Sequence, residues 1–278
     1  MAEGHSIIRW ARLLAPLVGA PLEQVRLPER LREGEGALRG QHLRRIGTHG
    51  KHLLFEWSND LTLHTHALMT GGWQLVRRGR EFRPIRGTVT VRFMTASHEA
   101  VFTNGPVVEL LTPEERASHR KLRALGPDLL HDPFDLEGVL RRMRRTATGQ
   151  REVGDVLLDQ TVVAGIGNIF KSEALHLAGL HPATPVEQLS DATLTDLLGI
   201  ARSLMERAAR GSGPVVTVAR VPGRGTPSER HHVYMRHGRP CLRCGTRIEA
   251  WRQGSQRRTT YRCQSCQPDG TGRLRLFD

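Results

Sequence analysis

The stretches Cys241-Leu242-Arg243-Cys244 and Cys263-Gln264-Ser265-Cys266 hold all four cysteines of the 278-residue chain, with eighteen residues between them. Two Cys-x-x-Cys pairs at this separation suit a tetrahedral four-cysteine zinc site, in which each pair holds one edge of the metal and the chain between them returns as a hairpin. A disulfide pairing is less favoured, because nothing else in the sequence is typical of a secreted protein. The cysteines therefore predict a structural zinc hairpin over about 238–268.

The predicted hairpin is rich in arginine. Six arginines lie between and beside the cysteine pairs: Arg243, Arg247, Arg252, Arg257, Arg258 and Arg262. Guanidinium groups on a metal-pinned hairpin present positive charge to a phosphate backbone. The alternative is a zinc knuckle that only fastens the C-terminal part of the chain.

The charge balance points to a polyanionic partner. The chain carries 41 Lys+Arg against 28 Asp+Glu, a net charge of +13, and its only lysines are Lys51, Lys121 and Lys171. An anionic membrane surface would suit the same charge, but it would not need a zinc hairpin. No run of eighteen apolar residues predicts a membrane span. The segment 7–18 contains Arg9 and Arg12, so it predicts an amphipathic helix rather than a signal peptide, and an intracellular location.

The first half of the chain predicts strands and the second half helices. Short apolar or alternating runs predict strands at 52–57, 61–66, 88–93 and 100–102, which is typical of a β-sandwich or a barrel. From the helix-start pattern at Thr112, helices are predicted near 114–122, 135–143, 152–160, 168–178 and 190–209. A stretch rich in glycine and proline at 211–230 predicts a mobile loop.

The stretch 159–173 predicts two helices around a tight turn. The turn contains Gly165 and Gly167, and Asn168 is expected to cap the second helix. Glycines allow the backbone to approach a ligand closely, and a helix N-terminus directs free N–H groups at an anion. An ordinary helix–turn–helix corner is the alternative. The arginine-rich hairpin downstream favours a phosphate-binding site.

Five motifs in order resemble the formamidopyrimidine-DNA glycosylase/endonuclease VIII family over nearly the whole chain. They are Met1–Gly4, Gly50–Leu54, His66–Gly71, Val163–Asn168 and the C-terminal four-cysteine hairpin. The resemblance implies an α+β multidomain fold with an N-terminal β-sandwich, a helix–two-turn–helix domain and a C-terminal four-cysteine zinc finger. The expected domains are 1–112 for catalysis, 113–232 for DNA binding and 233–278 for the zinc finger with a basic tail.

The resemblance implies base-excision repair with an N-terminal amine as nucleophile. A damaged base is flipped from the duplex because the reacting sugar carbon is shielded within the stack. The amine, exposed once Met1 is removed, then attacks that carbon and forms a Schiff base. The family usually has proline at this position, and this chain has Ala2. A primary amine forms an imine that withdraws electrons only while protonated, so we expect glycosylase activity to persist and lyase activity to be weakened.

The other site residues are assigned by matching the family's motifs. Glu3 matches the proton-shuttling carboxylate, and Lys51 matches a lysine that contacts phosphate and sugar at the lesion. Asn168 and Arg258 match the groups that bind phosphates on either side of the flipped nucleotide. Arg257 is adjacent to Arg258, so the register is open by one residue. These residues, with Lys171, form the predicted catalytic and DNA-binding set.

Met69 matches the side chain that fills the gap left by the flipped base, with Leu68 and Thr70 beside it. Apolar side chains do this by replacing the lost base stacking. The alternative is that Met69 is a core residue.

The branch of the family is inferred from loops. The stretch 103–109 lacks the Asp-Pro-Arg-Phe-Gly-like loop of the formamidopyrimidine branch, and residues 211–238 are short for the loop that covers the lesion in that branch. Ser6 stands where a carboxylate is often found. These features favour the endonuclease VIII branch and oxidised pyrimidines, with bulky or crosslinked lesions as an alternative. The expected partner is double-stranded DNA with a damaged base, bound by a monomer without a membrane, in the bacterial cytoplasm at the nucleoid.

Two other classes of function compete. One is a catalytically silent binder of damaged DNA that kept the phosphate contacts and lost the proline. The other is a zinc-ribbon RNA binder, which conflicts with the ordered match over the N-terminal half. Glu3 and Lys51 favour the enzyme, because a silent relative would have little reason to keep them beside the amine.

Overall fold

The computed structural model describes residues 2–80, 87–146, 150–218 and 230–269. The chain divides into two compact units, Met1–Ala124 and Leu125–Asp278, which we call the N-terminal unit and the C-terminal unit. The finer division at 112/113 and 232/233 stays a prediction. In the described part of the chain, no helix has the length and apolar composition that crossing a membrane requires.

The N-terminal unit contains two four-stranded antiparallel sheets and short flanking helices. Its strands are β1 (Gln24–Arg26), β2 (Leu43–His49), β3 (His52–Trp57), β4 (Thr62–His66), β5 (Gly72–Arg77), β6 (Val89–Met94), β7 (His98–Thr103) and β8 (Val107–Leu111). Its helices are α1 (Gly4–Leu14), α2 (Gly34–Leu38), α3 (Pro113–Ser118) and α4 (Arg120–Ala124). The strand orders are β1-β6-β7-β5 and β2-β3-β4-β8.

The two sheets share one aromatic core. Phe55 and Trp57 of β3 lie on one sheet, and their ring centroids are 5.6 and 5.3 Å from that of Phe93 on β6 of the other sheet. Trp73 of β5 lies 4.9 Å from Phe55, also across the two sheets. Side chains of alternate residues on both sheets therefore interdigitate, as in a sandwich. The predicted sandwich is confirmed, and the barrel alternative is wrong.

The register of the second sheet brings two turns to the same end. His52 pairs with His49 of β2 on one side and with His66 of β4 on the other. The turn Gly50–Lys51 lies just before His52, and the chain leaves β4 just after His66. Antiparallel pairing therefore places Lys51 and the segment after β4 at one end of this sheet.

Helix α1 follows the predicted amphipathic pattern. Ile7 and Leu14 are buried in the N-terminal core, and the helix packs against β2, β3 and β5. It begins at Gly4 rather than Ile7 and continues as a 3-10 turn over Ala15–Leu17. The predicted helix start at Thr112 is confirmed by a capping box, in which Thr112 and Glu115 bond each other's backbone N–H groups.

The C-terminal unit is helical, with one hairpin. Its helices are α5 (Leu136–Thr146), α6 (Val153–Val156), α7 (Asn168–Leu177) and α8 (Asp191–Arg210), and its strands are β9 (Ile248–Gln253) and β10 (Arg258–Cys263). Twenty-three buried residues from the helices and their connections form its main core. A smaller core under the hairpin contains Val233, Ile248 and three of the cysteines.

The helix predicted at 152–160 is present but shorter, because α6 covers only Val153–Val156. Asp159 accepts bonds from the backbone N–H and the hydroxyl of Thr161, which makes a local turn. The backbone N–H of Gly126 donates to the carbonyl of Gln160. These bonds compete with a continuing helix. Of the predicted mobile loop at 211–230, residues 211–218 and 230 form neither helix nor strand, and 219–229 lie outside the described residues.

Candidate functional site

Ala2 and Glu3 lie at the start of α1. Ala2 is half-buried and packs against the N-terminal core. Glu3 is fully buried, and its carbonyl accepts a 2.8 Å hydrogen bond from the backbone N–H of Ser6. A helix N-terminus carries partial positive charge, which favours an ionised carboxylate at this position. The α-amine candidate and the carboxylate candidate are consecutive in the chain, so the sequence alone places them together.

Lys51 lies in the tight turn between β2 and β3 and is half-buried. Gly50 has a φ of 57°, which this two-residue turn needs and which glycine adopts without strain. Burial lowers the pKa of His66 to about 4, and the positive charge of Lys51 adds to that effect. Lys51 therefore lies beside a neutral histidine at the end of the sheet that also carries the turn after β4.

Leu68, Met69 and Thr70 form an exposed turn after β4. The exposed fractions of Leu68 and Met69 are 48% and 51%, so Met69 is not a core residue. The backbone N–H of Gly71 donates to the carbonyl of Ala67 at 2.9 Å, which closes the turn. A Cβ on Gly71 would lie 2.9 Å from the same carbonyl oxygen, so glycine is required. The Ala67–Gly71 turn presents two apolar side chains to solvent.

Asn168 is the first residue of α7, and its predicted role as a cap is wrong. Gly167 occupies the N-cap position, and no side chain caps the helix. The Asn168 amide is buried, and its Nδ2 donates a 2.7 Å bond to the carbonyl of Thr259 in β10. The amide does not cap its own helix because it bonds the hairpin instead. The bond fixes the start of α7 against the hairpin.

Arg257 and Arg258 lie next to this junction. Arg258 begins β10 and pairs with Gln253, whereas Arg257 lies in the hairpin turn with a φ of 47°. Arg257 is exposed and Arg258 is half-buried. Because Thr259 follows Arg258 directly, the structure brings Asn168 close to the predicted arginine, although the two are ninety residues apart in the chain.

Lys171 does not lie at a surface. Its side chain is fully buried, and its Nζ donates a 2.5 Å bond to the hydroxyl of Thr260. Thr260 donates in turn to Gln253, whose amide also bonds Glu152 and the carbonyl of Pro182. A buried ammonium group is not available to a phosphate, so we correct its assignment from a DNA contact to a residue that joins α7 to the hairpin.

Glu173 is a second buried charge on α7, and the sequence pattern did not indicate it. Its carboxylate accepts bonds from the Thr217 hydroxyl and from the backbone N–H groups of His232, Val233 and Tyr234. Burial alone would raise the pKa of Glu173, but these bonds together bring it below its ordinary value. Glu173 thus anchors the chain that enters the cysteine-containing hairpin. The only sequence signal for this role is a glutamate within a helix, which does not indicate its partners.

The side chain of Gln160 holds the glycine-containing turn before α7. Its Nε2 donates to the carbonyls of Leu158 and Ile166, and its Oε1 accepts from the backbone N–H of Gly165. Gly165 has a φ of 103°, a conformation that favours glycine. The predicted tight turn is therefore present, and the amide of half-buried Gln160 holds its shape.

The four cysteines form a cluster whose geometry fits a tetrahedral metal. The Sγ atoms of Cys241 and Cys266 are 3.9 Å apart, and that of Cys244 lies 3.3 Å from Cys263 and 3.6 Å from Cys266. A tetrahedral ion with Zn–S bonds of about 2.3 Å places its sulfur atoms about 3.8 Å apart. These separations exclude disulfides in this arrangement. The cluster is therefore a possible metal site of the predicted composition.

The thiols of the cluster differ in their ease of ionisation. Hydrogen bonding to Thr246 lowers the pKa of Cys244 to about 6, whereas burial raises the pKa of Cys263 to about 11. Burial also raises the pKa of Cys266. Two buried thiols would thus stay protonated without a cation, and a bound divalent ion favours their thiolate forms.

Comparison with known families matches both units. Residues 1–106 match the formamidopyrimidine-DNA glycosylase N-terminal domain, and residues 125–219 match the formamidopyrimidine-DNA glycosylase H2TH domain. The two matches follow the same order as the sandwich and the helical segment of this chain.

Curated relatives match nearly the full length. Endonuclease 8 of Escherichia coli (strain K12 / DH10B) is 34% identical over 282 residues, which cover 96% of this chain and 100% of the relative. Probable endonuclease 8 2 of Streptomyces coelicolor is 36% identical over 275 residues, covering 96% of this chain and 94% of the relative.

Solved structures share the fold. The Lactococcus lactis Fpg in complex with abasic-site DNA has a TM-score of 0.79 at 23% identity, covering 96% of this chain and all of that chain. A Lactococcus lactis Fpg mutant bound to DNA containing Fapy-dG gives the same values. At this identity the likeness supports the fold alone.

Proposed function

The chain belongs to the formamidopyrimidine-DNA glycosylase/endonuclease 8 family of base-excision-repair DNA glycosylases, and from that premise we propose that it excises oxidised pyrimidines from double-stranded DNA. The observation that carries the proposal is the end-to-end match to endonuclease 8 relatives. Two features of the sequence support the substrate class. The chain lacks the Asp-Pro-Arg-Phe-Gly-like loop of the formamidopyrimidine branch, and Ser6 stands where a carboxylate is often found.

Ala2 and Glu3 are the proposed reacting groups. After removal of Met1, the neutral Ala2 amine attacks the sugar C1′, the bond from C1′ to the base breaks, and the base leaves with the bonding electrons. An α-amine has a reference pKa of about 7.7–8.0, so a useful fraction is neutral near pH 7. The Glu3 carboxylate takes a proton from the nitrogen of the attacking amine and passes it to the ring oxygen as the sugar opens to the imine. The buried position of Glu3 at the start of α1 supports this role.

The lyase step is where Ala2 matters most. An iminium formed by proline is permanently cationic, whereas the Ala2 imine must hold a proton before it acidifies the neighbouring C–H bond. The family has lyase activity, and we propose that in this chain strand cleavage is slower than base release. Lys51, half-buried at the end of its sheet, is proposed to contact the phosphate and sugar of the lesion.

The remaining assignments concern DNA binding and the metal. Met69, with Leu68 and Thr70, is proposed to fill the gap in the duplex, which its exposure supports. Asn168 and Arg258 are proposed to bind phosphates. The cysteine cluster is proposed to hold one structural Zn²⁺, which would fix the hairpin and take no part in the reaction. We further propose that the protein acts as a monomer at the bacterial nucleoid.

The test is a panel of duplexes, each with one damaged base, incubated with wild type, Ala2→Pro and Glu33→Gln. Glu33 is exposed on another part of the N-terminal unit, so its variant is the control. We expect wild type to release oxidised pyrimidines with little strand cleavage and to form a covalent adduct with borohydride. Ala2→Pro should cleave more strand for each base released.

Three outcomes would contradict the proposal at different levels. Absence of any borohydride adduct during active base release would exclude Ala2 as nucleophile. Release of bulky or crosslinked adducts, and not of oxidised pyrimidines, would replace the substrate class. No release from any duplex by wild type or Ala2→Pro would favour a silent binder of damaged DNA.

A further inference from the structure

Four ionisable side chains cluster on the outer face of the sheet β2-β3-β4-β8, away from the aromatic core. Residues 53, 55 and 57 of β3 point into that core, so His52 points to the opposite face. The register places His66 directly opposite His52, and Glu109 of β8 directly opposite His64 of β4. Cross-strand pairs on one face lie close enough to interact.

Three of these side chains, together with His119, form a continuous hydrogen-bonded chain, which we call the histidine chain. His52 Nδ1 lies 2.7 Å from His64 Nε2, and His64 Nδ1 lies 2.7 Å from Glu109 Oε2. His119, in the segment between α3 and α4, places its Nε2 3.1 Å from the same Glu109 oxygen. The exposed fraction of the side chain falls from 38% at Glu109 to 2% at His64.

The bonding pattern assigns every ring proton. The backbone N–H of Leu122 donates to His119 Nδ1 at 3.2 Å, so the proton of neutral His119 is on Nε2 and points to Glu109. A carboxylate only accepts, so His64 must carry its proton on Nδ1. Its bare Nε2 then accepts from Nδ1–H of His52. All three imidazole protons are therefore directed along the chain toward Glu109.

The same atoms are unsuited to a metal. His64, Glu109 and His119 have donor atoms close enough for a divalent ion. A metal at His119 needs a bare Nε2, and the Leu122 N–H already requires a bare Nδ1. Both conditions hold only for an imidazolate, which is strongly disfavoured for a ring with this exposure. Glu109 thus acts as the shared acceptor of two rings.

The surroundings favour the neutral forms of His52 and His64. Burial lowers the pKa of His52 to about 2, with further lowering from His66, His64, His49 and Lys51. Burial also lowers the pKa of His64, although Glu109 opposes the shift. His119 and Lys121 are the other charged or titratable groups that face His64.

The chain leads to the Ala67–Gly71 turn through His66. The His66 ring is tilted against His52, with ring centroids 4.6 Å apart. His66 Nδ1 accepts a 3.2 Å bond from the backbone N–H of Leu68. Leu68 has a φ of 46°, which is strained for a leucine and must be stabilised by its surroundings. The contact with His66 is one such stabilisation.

We propose that His64, oriented by Glu109, positions the Ala67–Gly71 turn through His52 and His66, so that Leu68 and Met69 enter the duplex in one defined conformation. This inference rests on the proposed function, because it requires that the turn contacts DNA. His64 and Glu109 are positioning residues: they act on the turn through two other rings and do not touch the substrate.

The first test needs no DNA. Nitrogen-15 spectra of the histidine rings in the full-length zinc-loaded protein at pH 7 report which nitrogen carries each proton. We expect Nδ1–H for His52 and His64, and Nε2–H for His119. The variants His64→Phe and His119→Phe each lack one set of signals, which assigns that set to its residue. An Nε2–H tautomer at His64, or a second bound zinc that His119→Phe abolishes, would show that the histidine chain is not bonded in this way.

The second test measures entry of the turn into the duplex. A 2-aminopurine opposite a non-cleavable abasic analogue reports the change in stacking when apolar side chains enter. We expect His64→Phe and Glu109→Leu to lower the rate of this change by about tenfold to a hundredfold, since small misplacements can cost that much. Glu109→Gln should retain most of the rate, because its amide oxygen still accepts from both rings.

There are two controls: the affinity of each variant for undamaged duplex, and the rate measured with the exposed variant His42→Ala. Both should match the wild-type values within about twofold. Equal losses in Glu109→Gln and Glu109→Leu, or an unchanged rate in His64→Phe, would overturn the proposal. A wild type with no fluorescence change would also overturn it, because the turn would then not enter DNA. Base release from damaged duplexes judges the proposed function separately.

Discussion

In the N-terminal unit, the candidate residues for the reaction and for insertion into the duplex lie on turns and at a helix start, at the edge of a large aromatic core. In the C-terminal unit, the candidate phosphate contacts depend on buried polar side chains and a cysteine cluster. Phe55, Trp57 and Phe93 are fully buried, and none of them is a candidate contact. Asn168, by contrast, is itself part of the contact that holds α7 to the hairpin.

Function and stability depend on different residues in the N-terminal unit, and on the same residues in the C-terminal unit. A core of many aromatic contacts survives the loss of one surface side chain, so substitutions on the turns of the N-terminal unit should change activity more than folding. The hairpin of the C-terminal unit has a small core, and its position depends on Lys171, Glu173 and the cysteines. Substitutions there should change folding and DNA binding together.

The largest effect is expected from removing a metal ligand. Cys263→Ser, or chelation of the wild type, should unfold the hairpin and weaken duplex binding by at least about a hundredfold, because structural zinc contributes on the order of 10 kcal/mol to such modules. Duplex affinity and near-ultraviolet circular dichroism measure this. The Trp57 and Trp73 signals should persist, and Leu242→Ala is the control. Loss of those signals together with the hairpin would show that the two units do not unfold independently.

The next effect is expected from Glu3→Gln, which keeps the shape and removes the carboxylate. Single-turnover base release should fall by about a hundredfold to ten-thousandfold, as is typical for loss of a general acid. Duplex affinity should stay within about threefold, since the N-terminal core is unchanged. Glu33→Gln is the control. If the duplex affinity of Glu3→Gln fell as much as its base release, buried Glu3 would support the fold rather than the reaction.

A smaller effect is expected from Asn168→Ala. Loss of a hydrogen bond to a charged phosphate costs about 1.5–3 kcal/mol, so duplex affinity should fall by roughly tenfold to a hundredfold. The bond to Thr259 is lost as well, so thermal stability of the C-terminal unit should also fall. Asn59→Ala is a matched control, because its amide also donates to a backbone carbonyl, that of Ala37 at 2.8 Å. Equal effects of the two variants would refute the assignment.

The smallest effect is expected from acid. Burial lowers the pKa of His66 and of His176 to about 4, from 6.5 when unfolded. Between these values the unfolded chain binds protons that the folded chain does not, so the free energy of unfolding decreases as pH falls from about 6.5 to 4. The melting temperature should therefore be lower at pH 5 than at pH 7.

The two units should also differ in their response to acid. The N-terminal unit has the histidine chain in addition to His66, so the signals of Trp57 and Trp73 should respond to acid more than that of Trp251 in the hairpin. His66→Gln should reduce the dependence in the N-terminal unit alone. An unchanged pH dependence in that variant would show that His66 is not among the responsible groups.

Much of the site was predictable because its signals are local. The cysteine spacing, the glycine turn before α7 and the strand runs each depend on residues near one another in the sequence. The helix predicted at 152–160 ends early because Asp159 and Gln160 form turn bonds whose partners a helical pattern does not reveal. Lys171 was misassigned because a lysine near a predicted anion site is usually exposed, and here Thr260 accepts its bond in the interior.

The sequence was sufficient to predict the family, the order of the sandwich, helical and cysteine-containing segments, and the presence of Ala2 where the family usually has proline. These follow from residue types and short spacings, which do not depend on the path of the chain. Only the tertiary structure decided that Asn168 bonds Thr259, that Glu173 anchors the hairpin entry and that His64 lies opposite Glu109. Those contacts join residues 45 to 91 positions apart, and register and burial, rather than local pattern, bring them together.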